Sequence, residues 1–196
     1  MNDFPAESCA SEYSQAERLW LMRLAHLSIR EEVMVRPLAK VPSSPHLQEE
    51  RGAFVSLHKE GKLRGCIGRV AAVTPLDQTI REMARAAALE DPRFSPVTAE
   101  ELDALQVEIS VLSTMREISP HEVVVGRDGL LISYNGRRGL LLPQVAVQWK
   151  WSRETFLAQT CLKAGLPLDQ WQRGARIEAF TAEVFREREP GESLRE

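Results

Sequence analysis

The sequence contains few of the residues that mark disulfide frameworks, metal centres or membrane spans. Its three cysteines, Cys9, Cys66 and Cys161, form no CxxC pair, which argues against both a disulfide framework and a zinc knuckle. No stretch reaches the ~18 consecutive apolar residues of a membrane span, and the N-terminus lacks the basic start and apolar run of a signal peptide. We therefore expect a cytoplasmic protein whose thiols are free in a reducing compartment.

Common catalytic and binding motifs are also absent. There is no HExxH, GxSxG, P-loop or GxGxxG, and the four histidines are scattered along the chain. These absences give no indication of a metal ion or another cofactor. The net charge is only −3, and acidic and basic residues are mixed, so nucleic-acid binding is a weak alternative. Arg127, Arg137 and Arg138 could contact phosphate, although a solvated hairpin tip explains them better.

Hydrophobic residues make up 43% of the chain and charged residues 27%, which is typical of a globular domain with one connected core. Capping signals and helical periodicity predict three main helices, over residues 14–34, 75–90 and 152–165. Alternation and turn signals predict strands over residues 53–58, 62–68, 106–112, 123–125, 130–134, 140–142 and 177–185. Hairpins outnumber crossovers, which predicts an α+β fold with a largely antiparallel sheet and packed helices. Residues 187–196 form a polar tail that we expect to be frayed.

The most informative local pattern is the first predicted hairpin. A three-residue loop over 59–61 would put Val55, Leu57, Leu63 and Ile67 on one apolar face, and Arg64 with Cys66 on the other. An adjacent arginine favours the reactive thiolate, and glycines beside Cys66 would let a ligand approach the backbone. The competing interpretation is an interior cysteine whose glycine neighbours only permit tight packing. On sequence alone, this second interpretation is the stronger.

Two further features could complete a site at Cys66. Glu108 lies on the polar face of its predicted strand and could pair with Arg64, although an exposed strand glutamate is an equally good explanation. Asp91 and Arg93 flank a proline, and a structural turn with a local ion pair is their simpler interpretation. His58 is predicted to lie ~13 Å from Cys66 along the hairpin, too far to act as its general base.

The hexapeptide LRGCIG at 63–68 resembles the hallmark of the AMMECR-type domain family. Further matches follow in order along the chain: DPRFSPV at 91–97, EIS at 108–110, GRDGL at 126–130, LLPQVA at 141–146 and CLKAGL at 161–166. The resemblance extends over residues 14–187, which leaves tails over 1–13 and 188–196. It implies a two-lobed fold with the hexapeptide beside a cleft between the lobes. In prokaryotes it also implies association with a Memo-type protein and a radical S-adenosylmethionine enzyme.

Together these considerations predict that a cleft centred on Cys66 binds or modifies a small substrate. Cys66 would be the nucleophile or a thiolate ligand, Arg64 would keep it ionised, and Glu108 would orient it or act as a base. The resemblance adds substrate-binding positions at Gly65, Gly68, Asp91, Arg93 and Gln144. The alternative is a noncatalytic adaptor, so whether the protein is an enzyme stays open at this point. Thiol reactivity separates the two functions, because a catalytic thiolate alkylates well below the free-thiol pKa of ~8.5.

Overall fold

The structure is a computed structural model that describes residues 11–35 and 44–195. These residues form four α-helices: α1 (Gln15–Met34), α2 (Leu76–Leu89), α3 (Pro143–Gln148) and α4 (Arg153–Lys163). They also form eight strands: β1 (Ala53–Lys59), β2 (Lys62–Arg69), β3 (Leu105–Leu112), β4 (Arg116–Glu117), β5 (Gly129–Tyr134), β6 (Arg137–Leu141), β7 (Arg176–Phe180) and β8 (Ala182–Arg186). Cys9, predicted to be a free thiol, lies outside the described residues. None of the helices formed by the described residues combines the length and apolarity needed to cross a membrane.

The chain divides into two compact units, residues 1–111 with 183–196, and residues 112–182. The first unit contains a four-stranded sheet with the order β2-β1-β3-β8, and the second contains one with the order β4-β7-β5-β6. Strand β1 pairs antiparallel with β2 and β3, and β5 pairs antiparallel with β6 and β7. These features confirm an α+β fold with antiparallel sheets and packed helices. The cleft expected between lobes stays a prediction.

The core of the first unit lies between its sheet and helices α1 and α2. One face of β1 supplies Ala53, Val55 and Leu57, all fully buried, as the alternation predicted. Helix α1 begins at the predicted capping box, in which the Ser14 hydroxyl accepts the Glu17 N–H and the Glu17 carboxylate accepts the Ser14 N–H. The second unit has its own core around β5, β7 and α4, so the expectation of one connected core is wrong.

Two strand predictions in the second unit are wrong. The predicted strand over 177–185 is divided between β7 and β8, which belong to different sheets, so this segment returns the chain to the first unit. Residues 123–125 form no strand. The N–H of Val124 donates to the Asp128 carboxylate, and the Val124 carbonyl accepts from the N–H groups of Arg127 and Asp128. These bonds close a turn and remove the polar groups that a strand ladder needs.

The expectation of a frayed C-terminal tail is also wrong. Glu187 and Ser193 are each only 2% exposed. The Glu187 carboxylate accepts hydrogen bonds from the Val107 N–H, the Ser193 N–H and the Ser193 hydroxyl, and His26 Nε2 lies 2.8 Å from it. A polar composition was therefore a poor guide here, because the polar groups are bonded to one another inside the unit.

Candidate functional site

The β1–β2 hairpin turns through two residues rather than the three that we predicted. Lys59 pairs with Lys62, and the residues between them, Glu60 and Gly61, have φ angles of 52° and 74°. Positive φ at both central positions defines a type I′ turn, which matches the twist of the flanking strands. Glu60 adopts the left-handed conformation without being Gly, Asn or Asp, so this turn was difficult to predict from residue types.

A β-bulge at Arg64 then returns the rest of the hairpin to the predicted sheet faces, although the predicted partners are wrong, because every pair beyond the bulge is two residues out of the predicted register. His58 lies opposite Leu63, whereas Leu57 lies opposite Gly65 and Ser56 opposite Cys66. The extra residue is Arg64. Leu63 is consequently shifted off the core face and is 41% exposed, so its predicted burial is wrong. Beyond the bulge, Ile67 packs against the core as predicted.

Arg64 binds Glu101 rather than Glu108. Its Nε and Nη2 lie 3.1 and 2.9 Å from the two Glu101 carboxylate oxygens, and Nη1 donates to the Ser95 carbonyl at 2.8 Å. Lys59 Nζ reaches the same carboxylate at 3.0 Å. The predicted Arg64–Glu108 pair is therefore wrong, and Glu108 instead lies 3.9 Å from Arg186. Arg64 joins β2 to residues 95–101.

These contacts predict an acid sensitivity that depends on Glu101. Hydrogen bonds from Arg64, and secondarily from Lys59 and Thr98, lower the pKa of Glu101 from 4.5 to about 2. A carboxyl group whose pKa is lower in the folded state than in the unfolded chain stabilises the fold at pH values above the unfolded-state pKa. This contribution is lost as the pH falls through the folded-state pKa. We expect the urea midpoint of the wild type to decrease as the pH is lowered from 4.5 to about 2. We expect a smaller decrease over this range in Glu101→Gln. An unchanged profile in Glu101→Gln would contradict this assignment.

An Asp–Arg pair holds both polar backbone groups of Cys66. Strand β2 is at the edge of its sheet, and the Cys66 N–H donates to Asp91 Oδ2 at 2.8 Å while its carbonyl accepts from Arg93 Nη2 at 3.3 Å. Asp91 is buried and makes two further bonds to the Arg93 guanidinium, at 2.9 and 2.6 Å. The Arg93 bonds lower the pKa of Asp91 well below its usual range, and the Cys66 N–H adds to this effect. The pair is local, as expected, and it also blocks the exposed strand edge.

The Cys66 thiol lies in a row of polar side chains on one sheet face. Ser56 Oγ donates to Cys66 Sγ at 3.1 Å, and Ser56 is in turn opposite Glu108 on β3. Adjacent strands are ~4.8 Å apart, so this row of Cys66, Ser56 and Glu108 is ~10 Å long. His58 lies on the same face of β1, and burial, followed by the nearby charge of Arg186, lowers its pKa. Ser56 was not among the predicted site residues, because its pairing with Cys66 depends on the bulge.

The two glycines beside Cys66 have packing functions. A Cβ atom at Gly65 would lie 2.1 Å from the Ala87 carbonyl oxygen, so glycine lets helix α2 approach the strand. A Cβ atom at Gly68 would meet the Phe54 ring at 2.1 Å, so glycine makes room for that ring. This supports the packing interpretation for the glycines. Gln144, the remaining predicted binding residue, is exposed on α3 in the second unit.

One group among the described residues has donor spacing suited to a metal ion: Glu12, His46 and Glu49. The Arg51 guanidinium already lies 2.8 Å from carboxylate oxygens of both Glu12 and Glu49. The guanidinium supplies a positive charge beside the two carboxylates, as a metal ion would. We therefore interpret the group as an ion-pair cluster.

Comparison with known proteins agrees with this architecture. The model of the AMMECR1 family matches residues 22–185. A protein of Thermococcus gammatolerans is 44% identical over 187 residues, which cover 87% of this chain and 90% of that protein. A protein of Methanocaldococcus jannaschii is 47% identical over 152 residues, covering 72% and 76% of the two chains. The crystal structure of uncharacterized protein PH0010 from Pyrococcus horikoshii superposes with a TM-score of 0.80 at 40% identity, covering 90% of this chain and 94% of that one.

The fold is thus an α+β fold similar to that of the Pyrococcus horikoshii protein, and the sequence is similar to those of the Thermococcus gammatolerans and Methanocaldococcus jannaschii proteins. The chain belongs to the AMMECR1 family.

Proposed function

We propose that the protein binds a small substrate on the sheet face around Cys66, with the thiol as the contacting or reacting group. The observation that carries this proposal is the combination of a partly exposed thiol with a rigidly held backbone. Asp91 and Arg93 bind the N–H and C=O of Cys66, and Ser56 donates to its sulfur. Functional groups need this kind of support, because small displacements of a reacting atom reduce its effectiveness.

Packing alone does not explain the cysteine. Cys66 is half-buried and lies outside the core cluster of the first unit, whereas its neighbour Ile67 packs against that cluster. Cys161 provides the contrast, since it is fully buried in the core of the second unit, where burial raises the pKa of its thiol. A cysteine kept for its volume is expected to resemble Cys161.

The geometry changes the roles expected for the surrounding residues. The guanidinium near the thiol is that of Arg93, which binds the Cys66 carbonyl and whose pKa is raised chiefly by its hydrogen bonds to Asp91. Arg93 would therefore orient an anionic part of the substrate, and Arg64 would act as a positioning residue through Glu101. Glu108 and His58 share the face of the thiol and would supply acid–base chemistry. The proposal includes a cytoplasmic location, where reducing conditions keep the thiol free.

Alkylation tests whether Cys66 is reactive. With iodoacetamide and peptide mapping, we expect Cys66 to be labelled at least 100-fold faster than Cys161, which is fully buried. Native mass spectrometry with lysate metabolites should then detect a ligand on the wild type that Cys66→Ser does not bind. Because the thiol lies outside the core, Cys66→Ser should change the free energy of unfolding by less than about 1 kcal/mol.

Cys161→Ala is the matched control, and it should leave both the labelling of Cys66 and the ligand unchanged. Ser56→Ala should slow the labelling of Cys66, because it removes the hydroxyl that contacts the sulfur. If Cys66→Ser instead costs about 2 kcal/mol or more while the ligand still binds, the cysteine is a packing residue and the proposal is wrong.

The adaptor function is the second candidate, and exposed apolar side chains in the second unit favour it. Trp149 is 64% exposed and Leu162 57% exposed, and exposed apolar residues are common where proteins associate. The resemblance suggests a Memo-type protein and a radical S-adenosylmethionine enzyme as partners. Sedimentation of the purified chain with each candidate partner tests this proposal, and Trp149→Ser should weaken any complex, whereas Gln172→Ser should not.

A further inference from the structure

A pocket lies within the second unit, and no residue of the Cys66 site lines it. It has a volume of about 260 Å³ and is lined by Ser113, Thr114, Arg116, Arg127, Asp128, Ala179, Phe180 and Thr181. Pockets for drug-sized ligands usually measure about 300–1,000 Å³, so this one suits a smaller group. Its lining combines two arginines and three hydroxyl side chains with one acidic residue.

A buried carboxylate orients the first arginine. Asp128 is 2% exposed, and its two oxygens accept Nε and Nη2 of Arg127 at 2.8 Å each. The same carboxylate accepts the Val124 N–H, also at 2.8 Å, which fixes its position. The Arg127 side chain nevertheless remains 51% exposed. Because Asp128 engages one edge of the guanidinium, the Nη1 group is left for another acceptor.

The second arginine is held only loosely. Arg116, on β4, is 56% exposed, and its ion pair with Glu122 is long, at 3.9 Å. An exposed pair at that distance contributes little and is readily exchanged for a stronger acceptor. Arg116 and Arg127 together outweigh Asp128, so the pocket lining carries a net positive charge.

Two of the lining residues, Arg127 and Asp128, belong to the sequence run 126–130. Gly126 has a φ of 91°, which suits the turn in which the Val124 carbonyl accepts the N–H groups of Arg127 and Asp128. A Cβ atom at Gly129 would lie 2.3 Å from the Phe180 ring, so glycine here leaves room for an aromatic side chain that lines the pocket. This run was among the matches to the AMMECR-type family, and the Cys66 site does not use it.

We propose that this pocket binds a phosphate group, either as free inorganic phosphate or as the terminal group of a small phosphomonoester. Two guanidiniums from different segments can each donate to a different oxygen of a tetrahedral anion, and the hydroxyls of Thr114 and Thr181 add neutral donors. A carboxylate has only two oxygens and would use this arrangement less fully. The proposal is independent of the function assigned to Cys66.

Titration of the purified protein with inorganic phosphate, followed by amide chemical shifts, tests the site. We expect saturable shifts of the amide signals of Ser113, Thr114 and Thr181. We expect the dissociation constant for phosphate to be at least 10-fold lower than that for acetate. Arg116→Gln should weaken phosphate binding at least 10-fold while leaving the Arg127–Asp128 pair in place. Arg127→Gln should weaken it further, and a thermal melt shows whether this second variant still folds. Glycerol 3-phosphate is the second ligand, and tighter binding than inorganic phosphate identifies a phosphomonoester as the source.

Arg173→Gln is the matched control, since Arg173 is 66% exposed in the same unit and pairs with Asp169 rather than lining the pocket. It should bind phosphate like the wild type, as should Cys66→Ser, which separates this site from the proposed function. The proposal is overturned if phosphate fails to saturate below 10 mM. It is equally overturned if Arg116→Gln binds phosphate like the wild type, or if acetate binds as tightly as phosphate.

Discussion

Replacing Glu187 with alanine is expected to lower the free energy of unfolding by about 3–5 kcal/mol, since several buried hydrogen-bond donors would lose their acceptor at a cost of about 1–3 kcal/mol each. The side chains of Glu187 and His26 are 0% and 2% exposed, and they meet at 2.8 Å. Removing the carboxylate also leaves the Val107 N–H, the Ser193 N–H and the Ser193 hydroxyl without their acceptor. Buried donors without acceptors are costly, because in the unfolded chain water would bind them.

Urea denaturation at pH 7 measures this effect, and Glu189→Ala is its matched control. Glu189 is 68% exposed and pairs with Arg195, so its removal should change stability by no more than about 0.5 kcal/mol. Burial raises the pKa of Glu187, but the His26 and Ser193 hydrogen bonds outweigh this and leave it below 4.5. The wild type should therefore lose the Glu187 contribution as the pH falls below 4.5, and Glu187→Ala should not. A loss under 1 kcal/mol in Glu187→Ala would contradict this account.

Local signals in the sequence were sufficient for the starts of α1 and α4 and for the second hairpin. Ser14 and Ser152 cap their helices as predicted. The Asn135-Gly136 turn, with φ angles of 47° and 79°, joins β5 to β6 at the expected position. Each of these features depends on residues within about four positions of one another, so a single sequence contains the required information.

The network around Glu187 could not be predicted in this way. Glu187 and His26 are 161 positions apart, and nothing in their local sequences distinguishes them from exposed polar residues. The division of residues 177–185 into β7 and β8 has the same origin, because it depends on two sheets that the alternation pattern cannot distinguish.

The candidate site shows the same limit at shorter range. The sequence identified the strand that contains Cys66 and the face that Val55 and Leu57 bury, because alternation determines both. The partner predicted for Arg64 was wrong. Arg64 is the extra residue of the bulge, and it contacts Glu101 rather than Glu108. Asp91 and Arg93 were recognised as a local pair, but their bonds to the Cys66 backbone depend on how residues 91–97 run along the strand edge.

The LRGCIG run is explained only in part by chemistry at the thiol, since Gly65 is required by the packing of helix α2. The Cβ atom of an alanine at position 65 would lie 2.1 Å from the Ala87 carbonyl oxygen and 3.1 Å from its carbonyl carbon. Both are backbone atoms, so no rotamer change relieves the clash, and the helix or the edge strand must move. We expect Gly65→Ala to destabilise the protein by about 3 kcal/mol, the upper part of the usual range for overpacking.

Gly68→Ala is the matched comparison, because its added Cβ would meet the Phe54 side chain rather than backbone. A second substitution, Phe54→Leu, should recover part of the stability lost in Gly68→Ala by vacating that space. It should recover none of the loss in Gly65→Ala, whose obstacle is the Ala87 carbonyl group. Urea denaturation of the three single and two double variants measures both effects. If Phe54→Leu rescues Gly65→Ala, or if Gly65→Ala is as stable as the wild type, then the close approach of α2 is not why glycine precedes Cys66.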